Sequence, residues 1–176
     1  MNLLDSVTAA LRAHGMRFAL IGAAAMAVHG VSRSTRDLDV LVTDVACLTS
    51  GFWDRAKLPD VEIAIHPGDA DDPLAGAVRL RSREGGGPLD VVVGRGGWLS
   101  AVLQRAADSD VDGVRVPVAT RPDLILLKLY AGGPQDAWDI EQLLAGPGSH
   151  AVVVDVEREL AVLPPAARQL WRRIRG

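Results

Sequence analysis

Asp37 and Asp39 stand one residue apart in Asp37-Leu38-Asp39-Val40-Leu41-Val42. On a strand, side chains two positions apart point to the same face. The two carboxylates can then share a divalent cation while Leu38, Val40 and Val42 face a core. Just upstream, Leu20-Ile21-Gly22 reads as the end of an apolar strand, and an alanine-rich helix follows it. A glycine turn leading into a helix offers backbone N–H groups to a phosphate. Gly22 and Ala23 are the candidates for that cradle. A third carboxylate, Asp90, sits in Leu89-Asp90-Val91-Val92-Val93, a run otherwise wholly apolar. An unpaired charge in a buried strand costs on the order of several kcal/mol, so something positive must be near. That partner is either a metal ion or an arginine. A carboxylate cluster beside a phosphate cradle is the equipment of phosphoryl transfer.

The stretch 20–42 resembles the signature of the nucleotidyltransferase superfamily that includes DNA polymerase beta. Ile21-Gly22-Ala23 opens the pattern, thirteen residues intervene, and Asp37-Leu38-Asp39-Val40 closes it. His29-Gly30, Arg33 and Thr35 are similar to the stand-alone bacterial subgroup of minimal nucleotidyltransferases and abortive-infection toxins. Ala23 departs from the pattern, which has glycine or serine there. The resemblance implies that Asp37, Asp39 and Asp90 bind metal, with two Mg²⁺ ions present when an NTP is bound. It implies nucleotide contacts from Gly22, Ala23, Arg33, Thr35 and Asp136. Arg33 suits phosphate oxygens because a guanidinium presents a fork of donors.

Further on, Pro122 to Ala131 places the lone ammonium of Lys128 among aliphatic side chains. Seventeen of the nineteen basic residues are arginine, so a lysine here is unusual. Asp136-Ala137-Trp138-Asp139 follows. This pairing resembles the lysine helix and Asp-x-x-Asp motif of the toxin-type subgroup. The resemblance implies that Lys128 is an active-site residue that balances triphosphate charge, and that Asp136 or Asp139 orients it. The two aspartates are i and i+3, so they share a helix face. The plainer readings are a lysine reaching out of a half-buried helix and a carboxylate favoured by a helix N-terminus. Arg79, Arg81 and Arg83 alternate, and a solvated sheet face is the favoured reading of that row. The four tryptophans show no stacking pattern.

The elements that must position these residues follow from periodicity and punctuation. Helices are expected over 3–13, 23–29, 44–57, 98–107, 122–131 and 135–144, with further helix to the end and Pro164-Pro165 opening the last. Strands are expected over 17–21, 37–42, 61–65, 77–83 and 89–93. A hairpin with Asp112-Gly113 at its turn comes next.

Composition bounds the rest. The chain has 176 residues, 48% hydrophobic and only 4% aromatic, so aliphatic packing must make the core. A net charge of −3 provides no global field for nucleic acid. Cys47 is alone, which excludes an intrachain disulfide and a cysteine-based zinc site. The longest apolar or small run, Phe18 to Val28, is too short to span a bilayer. The N-terminal charge order is not that of a signal peptide, so cytoplasmic location is expected.

The expected fold is α/β (α+β): a nucleotidyltransferase-like mixed sheet of about four to five strands, flanking helices and a small helical C-terminal part. Residues 1–176 are read as one domain, with a sheet-containing core over 1–119 and helices over 120–176. The expected activity is Mg²⁺-dependent transfer of a nucleoside monophosphate from an NTP to an acceptor hydroxyl. The acceptor is RNA, such as a tRNA end, or a protein, in a toxin–antitoxin setting with a cognate partner. The alternative is a catalytically degenerate protein of the same fold that serves as an antitoxin or interaction module.

Overall fold

The structure is a computed structural model, and residues 2–33, 37–70 and 74–176 are described. Helix α1 (Leu3–Ala13) opens the chain. Leu4, Val7 and Leu11 recur at helical spacing and are buried. Asn2 caps the helix by accepting a hydrogen bond from Asp5 N–H at 2.9 Å. Strand β1 (Phe18–Ile21) runs directly into the short helix α2 (Gly22–Val28), and β2 (Leu38–Val42) returns antiparallel to β1. Val40, Leu41 and Val42 are all buried, as a strand covered on both faces requires.

A single helix was expected over 44–57. The chain instead forms a 3-10 turn at Val45–Leu48, breaks at Thr49, and resumes as α3 (Ser50–Ala56). Thr49 is extended (φ −114°, ψ 138°), and the Trp53 indole donates to the Cys47 carbonyl at 2.8 Å. That bond satisfies one carbonyl freed by the break. Strands β3 (Val61–Pro67), β4 (Leu74–Ser82) and β5 (Leu89–Gly94) form an antiparallel meander, and β5 then lies parallel to β2.

After α4 (Gly97–Arg105), β6 (Ala107–Val111) and β7 (Val114–Val118) form the expected hairpin. Asp112 and Gly113 both have positive φ, 51° and 78°, as a two-residue hairpin turn demands. The sheet therefore has seven strands, in the order β3-β4-β5-β2-β1-β7-β6, not four to five. The correction comes from β7, which pairs parallel to β1 through Leu20 and Val118 and draws the hairpin into the same sheet.

Helices α5 (Arg121–Ala131), α6 (Asp136–Ala145), α7 (Ser149–Glu159) and α8 (Pro165–Arg175) complete the fold. Thr120 caps α5, accepting from Asp123 N–H, and Pro122 lies in its first turn. The α5 helix packs against α2 as well as against α6, α7 and α8. Two polar ties anchor the start of α5 to α2 and α4. His29 Nε2 lies 2.9 Å from the Ala119 carbonyl oxygen. Arg105 of α4 grips the buried Asp123 carboxylate, with one contact at 2.6 Å. No described helix is long and apolar enough to cross a membrane.

Candidate active site

Asp39 occupies the second position of β2, between β1 and β5. In register it faces Ile21 on one side and Asp90 on the other. Parallel pairing puts directly opposed side chains on the same face, so the Asp39 and Asp90 carboxylates share one side of the sheet. Gly22 follows Ile21 and opens α2 with φ +64°. A Cβ at Gly22 would collide with Asp39 Oδ2. The glycine is thus required twice, by its backbone and by the carboxylate lying against it. Ala23 is the next residue of the same helical turn.

The electrostatics centre on Asp39. Its pKa is pushed up to about 6, first by burial, then by the neighbouring charges of Asp90 and Asp37. Lys128 and Arg79 pull it partly back. Three carboxylates and two cations therefore feel one another at the C-terminal end of α5 and across the middle of the sheet.

Arg79 enters this site against expectation. The alternating row at 79, 81 and 83 was read as a solvated face. Arg79 lies opposite Asp90 in the β4–β5 register. Its Nε donates to Asp90 Oδ1 at 2.8 Å and a terminal nitrogen donates to Oδ2 at 2.6 Å. This is a forked pair of charge-assisted bonds. The hydrogen bond to Asp90 holds the guanidinium above its ordinary range. Arg83 behaves as expected, forming an exposed pair with Glu62 at 3.6 Å.

Lys128, on α5, is joined to α6. Its ammonium lies 2.9 Å from Asp136 Oδ1 and 2.7 Å from Asp139 Oδ2. Burial pulls its pKa down, but the hydrogen bonds it donates to Asp139 and Asp136, with their negative charge, outweigh that and raise it. Asp136 also accepts from Gly133 N–H at 2.7 Å, which fixes the turn between the helices. Arg33 reaches over from the segment before β2 and pairs with Asp139. Its other terminal nitrogen donates to Gln135 Oε1 at 2.8 Å. Both cations retain donors that these bonds do not use: an ammonium carries three N–H groups and a guanidinium five.

Of the residues singled out in the sequence, Asp39, Asp90 and Gly22 are in mutual contact or register. Asp37 and Lys128 act on Asp39 through their charge, Asp136 and Asp139 hold Lys128, and Arg33 shares Asp139 with it. Thr35 lies outside the described residues. His29 is engaged with the Ala119 carbonyl. Arg79 is the residue the sequence reading missed. Among the described residues, no three acidic, histidine or cysteine side chains form a ready-made metal cage.

No family model matches the chain, and no curated protein does. Solved structures do. The solution structure of the antibiotic-resistance factor ANT(2'')-Ia superposes with a TM-score of 0.55 at 12% identity, covering 90% of each chain. The crystal structure of ANT(2'')-Ia in complex with adenylyl-2''-tobramycin superposes with a TM-score of 0.57 at 13% identity, covering 89% of this chain and 94% of that one. The likeness is one of fold: this chain shares the fold of ANT(2'')-Ia.

Proposed function

We propose that this chain, 1–176 as one catalytic domain, is a nucleotidyltransferase. It moves a nucleoside monophosphate from an NTP to an acceptor hydroxyl and releases pyrophosphate. The observation that carries the reading is the setting of Asp39. A half-covered carboxylate faces Asp90 in register, feels Asp37, lies against a glycine that opens a helix, and has Lys128 close enough to lower its pKa.

The donor set fits Mg²⁺. Carboxylate oxygens are hard ligands, and Mg²⁺ takes one or two of them together with phosphates and water. Burial first, and then repulsion from Asp90 and Asp37, raise the Asp39 pKa, and a cation held between these carboxylates would relieve that repulsion. Asp90 joins the set once Arg79 lets go of it. When bound, Mg²⁺ supplies activation of the attacking hydroxyl and charge balance on the leaving pyrophosphate.

The chain's own residues do the positioning. Gly22 keeps the approach to Asp39 Oδ2 clear, and the first N–H groups of α2, at Gly22 and Ala23, are free of helix partners and face a phosphate. Lys128, held from behind by Asp136 and Asp139, presents its remaining N–H to the triphosphate. Arg33 contributes the second positive group, and Thr35 is assigned to the same nucleotide. Such fixed donors lower the barrier because no reorganisation is needed at the moment of transfer.

RNA and protein hydroxyls are the acceptors proposed, in a toxin-type role with a cognate partner. The neighbour in complex with adenylyl-2''-tobramycin adds a small-molecule acceptor to the same test. A second reading, a non-catalytic binding module, is favoured by the Arg79 fork on Asp90 and by alanine at position 23.

The experiment is incubation with each labelled NTP and Mg²⁺, together with total RNA, total protein or tobramycin, for wild type and Asp39→Asn. Labelling by wild type alone supports transfer. Equal labelling by both, or none by a wild type that binds a protein partner tightly, moves the assignment to the second reading.

A further inference from the structure

We propose that Trp138 is the stacking surface for the nucleobase of the nucleotide donor, an inference that rests on the transfer reading above. The chain has four tryptophans. Trp53 and Trp171 are buried, each 3% exposed. Trp98 stands edge-on to Tyr130, with ring centres 5.3 Å apart. Trp138 alone of the four is left open, at 49% exposure.

Its place is specific. It lies on α6 between Asp136 and Asp139, the two carboxylates that hold Lys128. Arg33, bonded to Asp139 and Gln135, carries its guanidinium carbon 6.0 Å from the centre of the Trp138 ring. A cation at that distance is attracted to an indole and helps hold the ring in place. Arg33, one of the two cations assigned to the triphosphate, thus adjoins the most exposed of the four indoles, and the other, Lys128, is held by carboxylates of the same helix.

An exposed indole offers a π-face, and every nucleobase has a π-face to match it. Such stacking is worth enough to be measured and tolerates any base. It reads ring area rather than hydrogen-bonding edges. The site assigned here therefore accepts all four NTPs, with purines preferred over pyrimidines.

The test is calorimetric titration of wild type, Trp138→Ala and Trp138→Phe with ATP, GTP, CTP, UTP and inorganic tripolyphosphate, all with Mg²⁺. Thermal melts confirm that each variant is folded. The expected result is an affinity loss of about tenfold for ATP and GTP in Trp138→Ala. Trp138→Phe should keep most of the affinity, and tripolyphosphate should bind all three proteins equally. Unchanged ATP and GTP affinity in Trp138→Ala overturns the proposal and leaves the transfer reading standing. So does an equal loss for tripolyphosphate, which would make Trp138 a support for Arg33. A wild type that binds neither nucleotides nor tripolyphosphate overturns both.

Discussion

Arg79 and Asp90 face each other across β4 and β5 and are joined by two parallel hydrogen bonds of 2.8 and 2.6 Å. The arginine occupies the oxygens that a metal ion would need. Guanidinium and metal should therefore compete for Asp90. Arg79→Gln removes the competitor and leaves Asp90 beside Asp39 with less compensation. In EDTA the variant should melt below wild type. Added Mg²⁺ should raise its Tm by more than it raises that of wild type. An identical Mg²⁺ response in the two proteins would show that Asp90 is not a metal ligand.

The raised pKa of Asp39 makes a signed prediction for metal-free protein. Folding lifts this carboxyl from the usual 3.8 to about 6. Between those values the folded state binds more protons than the unfolded state, so Asp39 lowers stability as pH rises through the window. The shift corresponds to at most about 3 kcal/mol. Asp39→Asn cannot titrate and escapes the loss. Urea denaturation in EDTA should give similar stability for variant and wild type near pH 4. The variant should gain up to pH 6 or a little above, with a constant gap beyond. A gap that does not change with pH would remove the assigned cause.

Much of this was legible because the signals were local. Thr120 with Pro122 announced the start of α5, and Asp112-Gly113 announced a hairpin turn. Alternation in Asp37-Leu38-Asp39 suggested one face for two carboxylates; the observed strand starts at Leu38, and Asp37 acts on Asp39 through its charge. What failed was non-local. The parallel pairing of Val118 with Leu20 joins segments nearly a hundred residues apart, and nothing in the β6–β7 hairpin itself encodes it. Arg79 was missed for a subtler reason. Alternation shows that residues 79, 81 and 83 share a face but does not reveal what lies opposite. A hairpin folded about residues 84 and 85 pairs Arg79 with Asp90, so the register held the answer. Near the break at Thr49 the sequence carried only Gly51, a residue that weakens a helix, within an otherwise amphipathic stretch over 44–57.

Lys128 couples folding to the site. It is tied to Asp139, which is 1% exposed, and to Asp136, which is 8% exposed. Among the described residues, Lys128→Met leaves two covered carboxylates with Arg33 and Gly133 as their remaining side-chain and turn partners. Breaking such a pair costs about 3 kcal/mol, much of it from the charge left behind. Lys128→Met with Asp136→Asn should therefore be less destabilised than the sum of the two single variants. Chemical denaturation of all four proteins measures this coupling. Strict additivity would mark Lys128 as an ordinary surface lysine. The folded fraction of Lys128→Met should also bind tripolyphosphate more weakly than wild type.

Gly22 and Gly30 separate backbone strain from damage to the site. Both have positive φ, +64° and +83°. An added Cβ meets nothing within 4 Å at Gly30, but at Gly22 it collides with the Asp39 carboxylate. Alanine at either position incurs the left-handed backbone cost of about 1 kcal/mol. Gly30→Ala should show that cost and little else, with transfer activity near that of wild type. Gly22→Ala must in addition move Asp39 Oδ2 or shift the start of α2. It should lose more stability than Gly30→Ala and lose transfer almost completely. Mg²⁺ should also raise its Tm less than it raises that of Gly30→Ala, because the displaced carboxylate no longer meets its neighbours. Denaturation curves with and without Mg²⁺, read beside the labelling assay, decide the matter. Equal behaviour of the two variants would mean that Asp39 tolerates displacement and is not the centre of the site.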